Sequence, residues 1–450
     1  MNATIGLDEQ IGQWRTYVAR RPAISADDLD ELENHLRDQV GDLQEAGLAD
    51  DEAFLIAVKR IGRLDEVSRE FAREHSERLW KQLVLSGDDS GQPRRRTLPV
   101  ALALAVGAGL AVKLPALFGL TMADASFYVL NASLLVLPFL AAYFAWERRM
   151  GWTRGLALLV PPFLIGAVVA NAYPLVEGGV MQILVVIHLP VFLWFAVGLA
   201  YTAGHWRSAQ GRMDFVRFTG EWLIYYTLIA LGGMVLMGLA FAGFQAIAVN
   251  VDSVLGQWVL PIGAAGAVIV AAWLVETKQS VVENIAPVLT AVFTPLTTLL
   301  LLVYLVALLS RGDLVNVDRE LLILADLILV LVFGLLLYAI SARDPQRPPA
   351  WFDGMQMVLV GAALAIDVVV LVAMAGRIAE FGASPNKVTA LGLNLILLVN
   401  LGWSAWLGLG FLRGRRGFAA LEHWQTTYLP VFAVWAALVA VGMPLVFGWG

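Results

Sequence analysis

The sequence predicts an all-α protein: a polytopic transmembrane helix bundle of about 11 spans behind a small N-terminal helical cytoplasmic domain. Three observations carry that expectation. Hydrophobic residues make up 59% of the 450 and charged residues 15%, with a mean hydropathy of +0.71. A soluble domain runs nearer ~45–50% apolar and ~25% charged. Second, apolar runs of the length that a ~30 Å hydrocarbon core demands recur from residue 98 onward. Third, charge is divided: residues 1–93 hold 11 Lys/Arg against 20 Asp/Glu (−9), and residues 94–450 hold 20 against 17 (+3). An acidic domain on a slightly basic membrane body is no partner for nucleic acid, whose phosphates would repel it. The chain has no cysteine, which excludes disulfides, thiolate metal sites and cysteine nucleophiles together.

Residues 1–85 read as a four-helix domain. Leu7, Ile11, Trp14 and Val18 share one helical face, and Pro22 ends that helix. Ser25 to Asp28 has the form of a capping box. Leu29, Leu32, Leu36, Val40 and Leu43 then keep a 3–4 spacing up to Gly47. A shorter helix over Asp51–Ile61 stops at Gly62, and Asp65 caps a fourth with Val67, Phe71 and Leu79 inward. The polar run 86–97 has no periodicity and reads as a linker to the membrane domain at 98–450.

On Leu29-Asp-Glu-Leu-Glu-Asn-His-Leu36, Glu45-Ala-Gly-Leu48, Asp51-Glu-Ala53 and Ala57-Val-Lys-Arg-Ile-Gly62, this segment resembles the permease-prefix (HAAS-type) domain that precedes many bacterial multi-pass proteins. The resemblance implies a cytoplasmic interaction or signalling module, often encoded beside a PadR-type regulator, and no chemistry of its own. His35 belongs to that motif and reads as a helix-surface side chain.

Spans are expected at 98–120, 126–146, 155–173, 180–202, 219–246, 257–275, 285–309, 320–341, 355–376, 388–412 and 428–448. With the N-terminus inside, Arg94–Arg96, Arg148, Arg149, Arg154, Arg207, Arg212, Arg217, Lys278, Arg343, Arg347, Arg413, Arg415 and Arg416 fall on the cytoplasmic side. Only Arg311, Arg319, Arg377 and Lys387 fall opposite, a 15-to-4 split that fixes the expected orientation. Eleven spans then put the C-terminus outside. In Asp214–Met237, Phe218-Thr219-Gly220 reads as a helix entry, with Glu221 in the first turn. Trp222, Tyr225 and Tyr226 are expected at the headgroup level.

The body resembles a bacterial inner-membrane family of unknown function. The resemblance rests on Asn171-Ala-Tyr-Pro174, His188-Leu-Pro190, Arg217-Phe-Thr-Gly-Glu221, Trp273-Leu-Val-Glu276 through Ala286-Pro287 to Phe293-Thr-Pro295, Arg343-Asp-Pro345 and Arg377 through Asn386. It implies residence in the bacterial inner membrane and no assigned activity.

No Gly-rich phosphate loop, paired His motif or Gly-x-Ser-x-Gly elbow occurs, and no cofactor or metal is expected. What remains are ionisable groups within spans: Lys113, His188, Asp326 and Asp367, all expected in the outer half of the bilayer. They are a packed pair fixing helix register, the lining of a hydrated cavity for an ion, proton or solute, or in part groups that sit at the membrane interface. Depth matching predicts a carboxylate of Asp326 or Asp367 beside Lys113. Asn131, Asn171, Asn394 and Asn400 are expected as interhelical hydrogen-bond glue. A second, cytoplasmic cluster gathers Arg217, Glu221, Glu276, Lys278 and Glu283, next to a helix expected to kink at Pro287 and Pro295.

The favoured reading is a membrane protein, not an enzyme, whose prefix domain mediates interaction or signalling with a PadR-type regulator or another copy of itself. The runner-up is a secondary transporter or channel-like protein using the four intramembrane groups. A lipid transferase is disfavoured by the short loops.

Overall fold

The computed structural model describes residues 94–120, 125–246, 250–277, 285–310, 319–343 and 345–449. Of the N-terminal segment it describes residues 26–45 and Leu7, Ile11, Gly12, Arg15, Ala53 and Ala57. The chain divides into two compact units, Met1–Gln92 and Pro93–Gly450.

In the first unit, α1 (Ala26–Glu45) buries Leu36, Val40 and Leu43, the inward face expected from the 3–4 spacing. Ile11, Ala53 and Ala57 are buried as well. On the flank of α1, Glu33 accepts hydrogen bonds from Arg15 and, at 3.0 Å, from Arg37 one turn on. Those two guanidinium groups hold its carboxyl below the ordinary range. The third and fourth expected helices and the linker lie outside the described residues, apart from Ala53, Ala57 and the stretch from Arg94 on.

Among its described residues, the regular structure of the second unit is all helical. It runs α2 (Arg94–Lys113, closed by a 3₁₀ turn at Leu114–Phe118), α3 (Ala125–Glu147), α4 (Trp152–Ala172), α5 (Val180–Tyr201) and α6 (Ala209–Ala246). Then come α7 (Asp252–Thr277, with a π turn at Leu255–Val259), α8 (Ile285–Ser310), α9 (Arg319–Ala342), α10 (Trp351–Phe381), α11 (Pro385–Leu412) and α12 (Ala419–Phe447, with a π turn at Leu438–Gly442). Ten of these are long and apolar enough to cross a membrane, and α8 contributes the apolar stretch Val292–Val306. The helix continues through Pro295. A membrane protein of this class keeps its backbone donors inside helices because lipid offers them no partner.

Two helix entries differ from expectation. α6 starts at Ala209, and 218–220 is helix interior. Arg212, Asp214 and Arg217 make this first part polar, so hydropathy places the start too late. The Gly211 N–H donates to Ser208 Oγ at 3.1 Å where the helix begins. Gly220 has another use: a Cβ there would stand 2.5 Å from the Tyr338 ring, so it lets α6 approach α9. α12 likewise starts at Ala419, nine residues before the expected span.

The body packs around two hydrophobic cores. One joins α2, α3, α4, α5 and α7 around Leu140, Phe144, Leu189, Leu193 and Ile269. The other joins α8, α9, α10 and α11 around Leu301, Leu329, Val360, Ile366 and Leu397. Two helices belong to both. α6 puts Met213 into the second core and Phe215 and Phe218 into the first, while α12 puts Leu421 into the second and Ala440 into the first. Beyond its buried first turns, α6 exposes Leu228, Leu231, Val235, Leu236 and Leu239, which is the surface a lipid-facing helix presents.

Polar side chains stitch the helices. Asn131 and Asn171 exchange two amide hydrogen bonds, at 3.1 and 2.8 Å, across α3 and α4. Asn400 and Gln425 do the same across α11 and α12 at 3.0 and 3.3 Å, with Ser404 accepting a further bond from Gln425 at 2.7 Å. With the Asn394 bond to Asp326, all four asparagines bridge helices as expected.

Candidate functional site

At one end of the bundle, the ends of α3, α5 and α7 meet the beginning of α6. A cavity of about 460 Å³ opens there, lined by Arg148, Tyr201, Asp214, Arg217, Glu221 and Glu276 among others. Two guanidinium groups thus face three carboxylates.

The charged groups come from three places: Asp214, Arg217 and Glu221 from α6, Arg148 from the end of α3 and Glu276 from the end of α7. Arg148, one residue past α3, places one terminal nitrogen 2.9 Å from both carboxylate oxygens of Glu276 near the end of α7. Its guanidinium also lies 4.7 Å from the centre of the Tyr201 ring, a cation–π contact. Arg217 reaches the other way, donating from Nε to the Ser341 carbonyl at 2.9 Å and again from a terminal nitrogen. It thereby ties α6 to the end of α9. Glu221, one turn further along α6, is buried against the cavity wall.

Below the charges lies an aromatic floor. Trp194 stacks near Phe218 and 4.5 Å from Trp222, while Tyr201 stacks on Phe218 at 5.1 Å. Trp222 spends its indole N–H on the Val268 carbonyl at 2.9 Å and stacks on Tyr226. It is therefore a packing residue of the α5–α6–α7 junction. Glu221 is not in a first helical turn; the earlier start of α6 moves it well into the helix.

A second ionic lock closes the neighbouring corner at the same end. Arg343 donates to both carboxylate oxygens of Asp353 at 2.9 and 3.1 Å and packs on the Phe411 and Phe418 rings. Asp353 in turn accepts the Ala350 N–H at 2.7 Å, which caps the start of α10.

Of the expected cytoplasmic cluster, Arg217, Glu221 and Glu276 meet on this cavity, and Lys278 and Glu283 lie outside the described residues. Sequence reasoning missed Arg148 as their partner. Its only signal was a position at a helix end level with Glu276, which does not say which helices are neighbours.

The four intramembrane groups do not form one site. Lys113 ends α2, and its ammonium lies 4.7 Å from the centre of the Trp258 ring. Among the described residues it makes no salt bridge, so the expected carboxylate partner is replaced by an aromatic face. The reason is lateral: α2 packs on α3 and α7, whereas Asp326 and Asp367 lie on α9 and α10. His188 donates from Nδ1 to the Leu184 carbonyl on its own helix at 2.9 Å. Asn394 donates to Asp326 at 2.9 Å, and Asp367, on the adjoining α10, is fully buried with no hydrogen-bond partner. Among the described residues, no three His, Asp or Glu side chains gather as a metal site.

No family model, curated protein or solved structure matches this chain significantly.

Proposed function

We propose that this integral membrane protein is a non-enzymatic relay, in which the N-terminal domain is a cytoplasmic interaction or signalling module attached to the membrane body. The observation that carries the reading is the separation of the chain into two compact units, the first with its own buried residues Ile11, Leu36, Val40, Leu43, Ala53 and Ala57. A domain with its own core and a net charge of −9 over residues 1–93 suits a soluble protein partner better than a lipid surface. The likeness to permease-prefix domains supports a regulator of PadR type or a second copy of the chain as that partner. The arginine bias supports an inner-membrane location with the N-terminus in the cytoplasm.

The test compares full-length protein with a variant lacking residues 1–92, both cross-linked in membranes and purified. The reading expects a cytoplasmic protein or a second copy to be captured by the full-length chain and lost with the deletion. Identical partners for both forms would refute it.

Transport through a site made of Lys113, His188, Asp326 and Asp367 together finds no support, because those groups occupy three separate places. The aspartate pair remains to be explained.

A further inference from the structure

We propose that Asp326, Asp367 and Asn394 form a binding site for one hard divalent cation of the Mg²⁺ class within the membrane body. The proposal is independent of what the N-terminal domain binds. It starts from Asp367, in the middle of α10, which is 0% exposed. Neither of its carboxylate oxygens has a hydrogen-bond partner. An ionised carboxylate stranded in this way costs several kcal/mol, and buried charges in proteins are paired or coordinate metals.

The surroundings offer acceptors where a donor would be needed. Asp326 on α9 interacts electrostatically with Asp367 and carries the same sign. Asn394 on α11 spends its amide N–H groups on Asp326 at 2.9 Å and on the Ala390 carbonyl at 3.0 Å. Since both those partners are acceptors, the orientation of the amide is settled, and it leaves the buried Asn394 Oδ1 without a partner. Asp326, Asp367 and Asn394 thus contribute oxygen atoms from three packed helices, and those of Asp367 and the Asn394 Oδ1 have no hydrogen-bond donor.

Among the described side chains, no basic group compensates the pair. The helices packed on α10 are α8, α9 and α11. The described side chains of α8 include no Asp, Glu, Lys, Arg or His, and its Tyr304 donates to the Leu321 carbonyl at 3.1 Å. On α9 the described titratable side chains are Asp326 and Tyr338, the latter twelve residues away beside Gly220. On α11, Lys387 is turned to the carbonyls of Gly382 and Arg377 at 2.9 and 3.3 Å. Along α10 itself, Asp353 is locked to Arg343, and Arg377 and Glu380 lie ten and thirteen residues further on, about 15–20 Å at the helical rise.

Charge and ligand type then select the ion. Two carboxylates sum to −2, which a divalent cation cancels and a monovalent one only halves. An all-oxygen donor set suits Mg²⁺, Mn²⁺ or Ca²⁺ rather than a thiolate- or imidazole-seeking metal. Mg²⁺ is commonly held by one or two carboxylates while keeping several of its waters, so three protein residues suffice.

The experiment uses full-length protein in detergent, stripped with EDTA and then titrated with Mg²⁺, Mn²⁺, Ca²⁺ or Na⁺ at constant ionic strength. Thermal unfolding is followed by tryptophan fluorescence, and bound Mn²⁺ by elemental analysis after desalting. Wild type is expected to gain Tm with a divalent ion and to retain roughly one Mn²⁺ per chain, the stoichiometry expected of one metal site. D367N is expected to lose both responses yet to melt higher than stripped wild type, because it removes a stranded charge. N394A is expected to bind Mn²⁺ at least about tenfold more weakly. If D367N fails to fold, the wild-type stoichiometry and the N394A affinity decide. A wild type that retains no Mn²⁺, a response to Na⁺ alone, or equal Mn²⁺ binding by D367N or N394A would overturn the proposal.

Discussion

Gly220 shows how a single side chain, or its lack, positions the cavity. Because its Cβ would meet the Tyr338 ring at 2.5 Å, Gly220→Ala must push α6 away from α9 or turn the ring. Overpacking of this kind costs about 1–3 kcal/mol. Gly233, further along α6, has open space where a Cβ would go, so Gly233→Ala is expected to be neutral or slightly stabilising. Equal melting temperatures for the two variants would show that the α6–α9 approach is looser than described. The Arg148–Glu276 pair makes a second expectation at this scale. Glu276 is only 9% exposed, so losing its partner strands it, and each single Gln substitution should destabilise more than its share of the double change. A double-mutant cycle is expected to return a coupling of about 1–3 kcal/mol; a value near zero would make the pair ornamental.

At the scale of the element, α1 carries the clearest expectation. Leu36 is fully buried mid-helix, so Leu36→Asp places an unpaired charge in a small core, and residues 1–92 expressed alone should lose their helical circular-dichroism signal with that change. Glu33 adds a pH dependence of known sign. Its carboxyl is depressed in the folded domain by Arg15 and Arg37, so its contribution is fully present above the unfolded value of about 4.3 and is lost as pH falls through the lower folded value. Acid titration of the same fragment should therefore show a limb below about pH 4.3 that Glu33→Gln flattens; identical acid limbs would remove the role given to those guanidinium groups. Most helices of the body were legible because about twenty apolar residues in a row leave few alternatives. The starts of α6 and α12 were not, because Arg212, Asp214 and Arg217 in one and Glu422 and His423 in the other lower the hydropathy of stretches that are helical all the same. Counting residues along a span gives depth but no direction around the bundle axis. That is why Lys113 could be matched to Asp326 in height and still belong to the other core, and why Arg148 went unrecognised as the partner of Glu276, 128 positions away.

For the whole molecule, the arginine bias and the packing agree on one point: Arg148, Arg217, Glu276, Ser341, Arg343 and Asp353 are joined at the same end of the bundle. Reporter fusions after Arg154, Arg207 and Arg416 should therefore report one compartment, the cytoplasm in the orientation proposed, and fusions after Glu177 and Asp313 the other. A cytoplasmic signal at Asp313 would break the alternation and with it the eleven-span arrangement. The division into two cores has a bearing on how such a chain is made. α12 supplies Ala440 to the first core and sets Val439 against Met181 and Leu184 of α5, while Trp449 offers its carbonyl to Val176 at 3.1 Å and its ring to Tyr173. Helices α2 to α5 emerge from the ribosome long before that seam is available, so their half waits in the bilayer, incompletely covered, while α8 to α11 are inserted. Nascent chains interrupted before α12 should accordingly be poor at escaping membrane quality control, even with every residue of α2 to α5 intact.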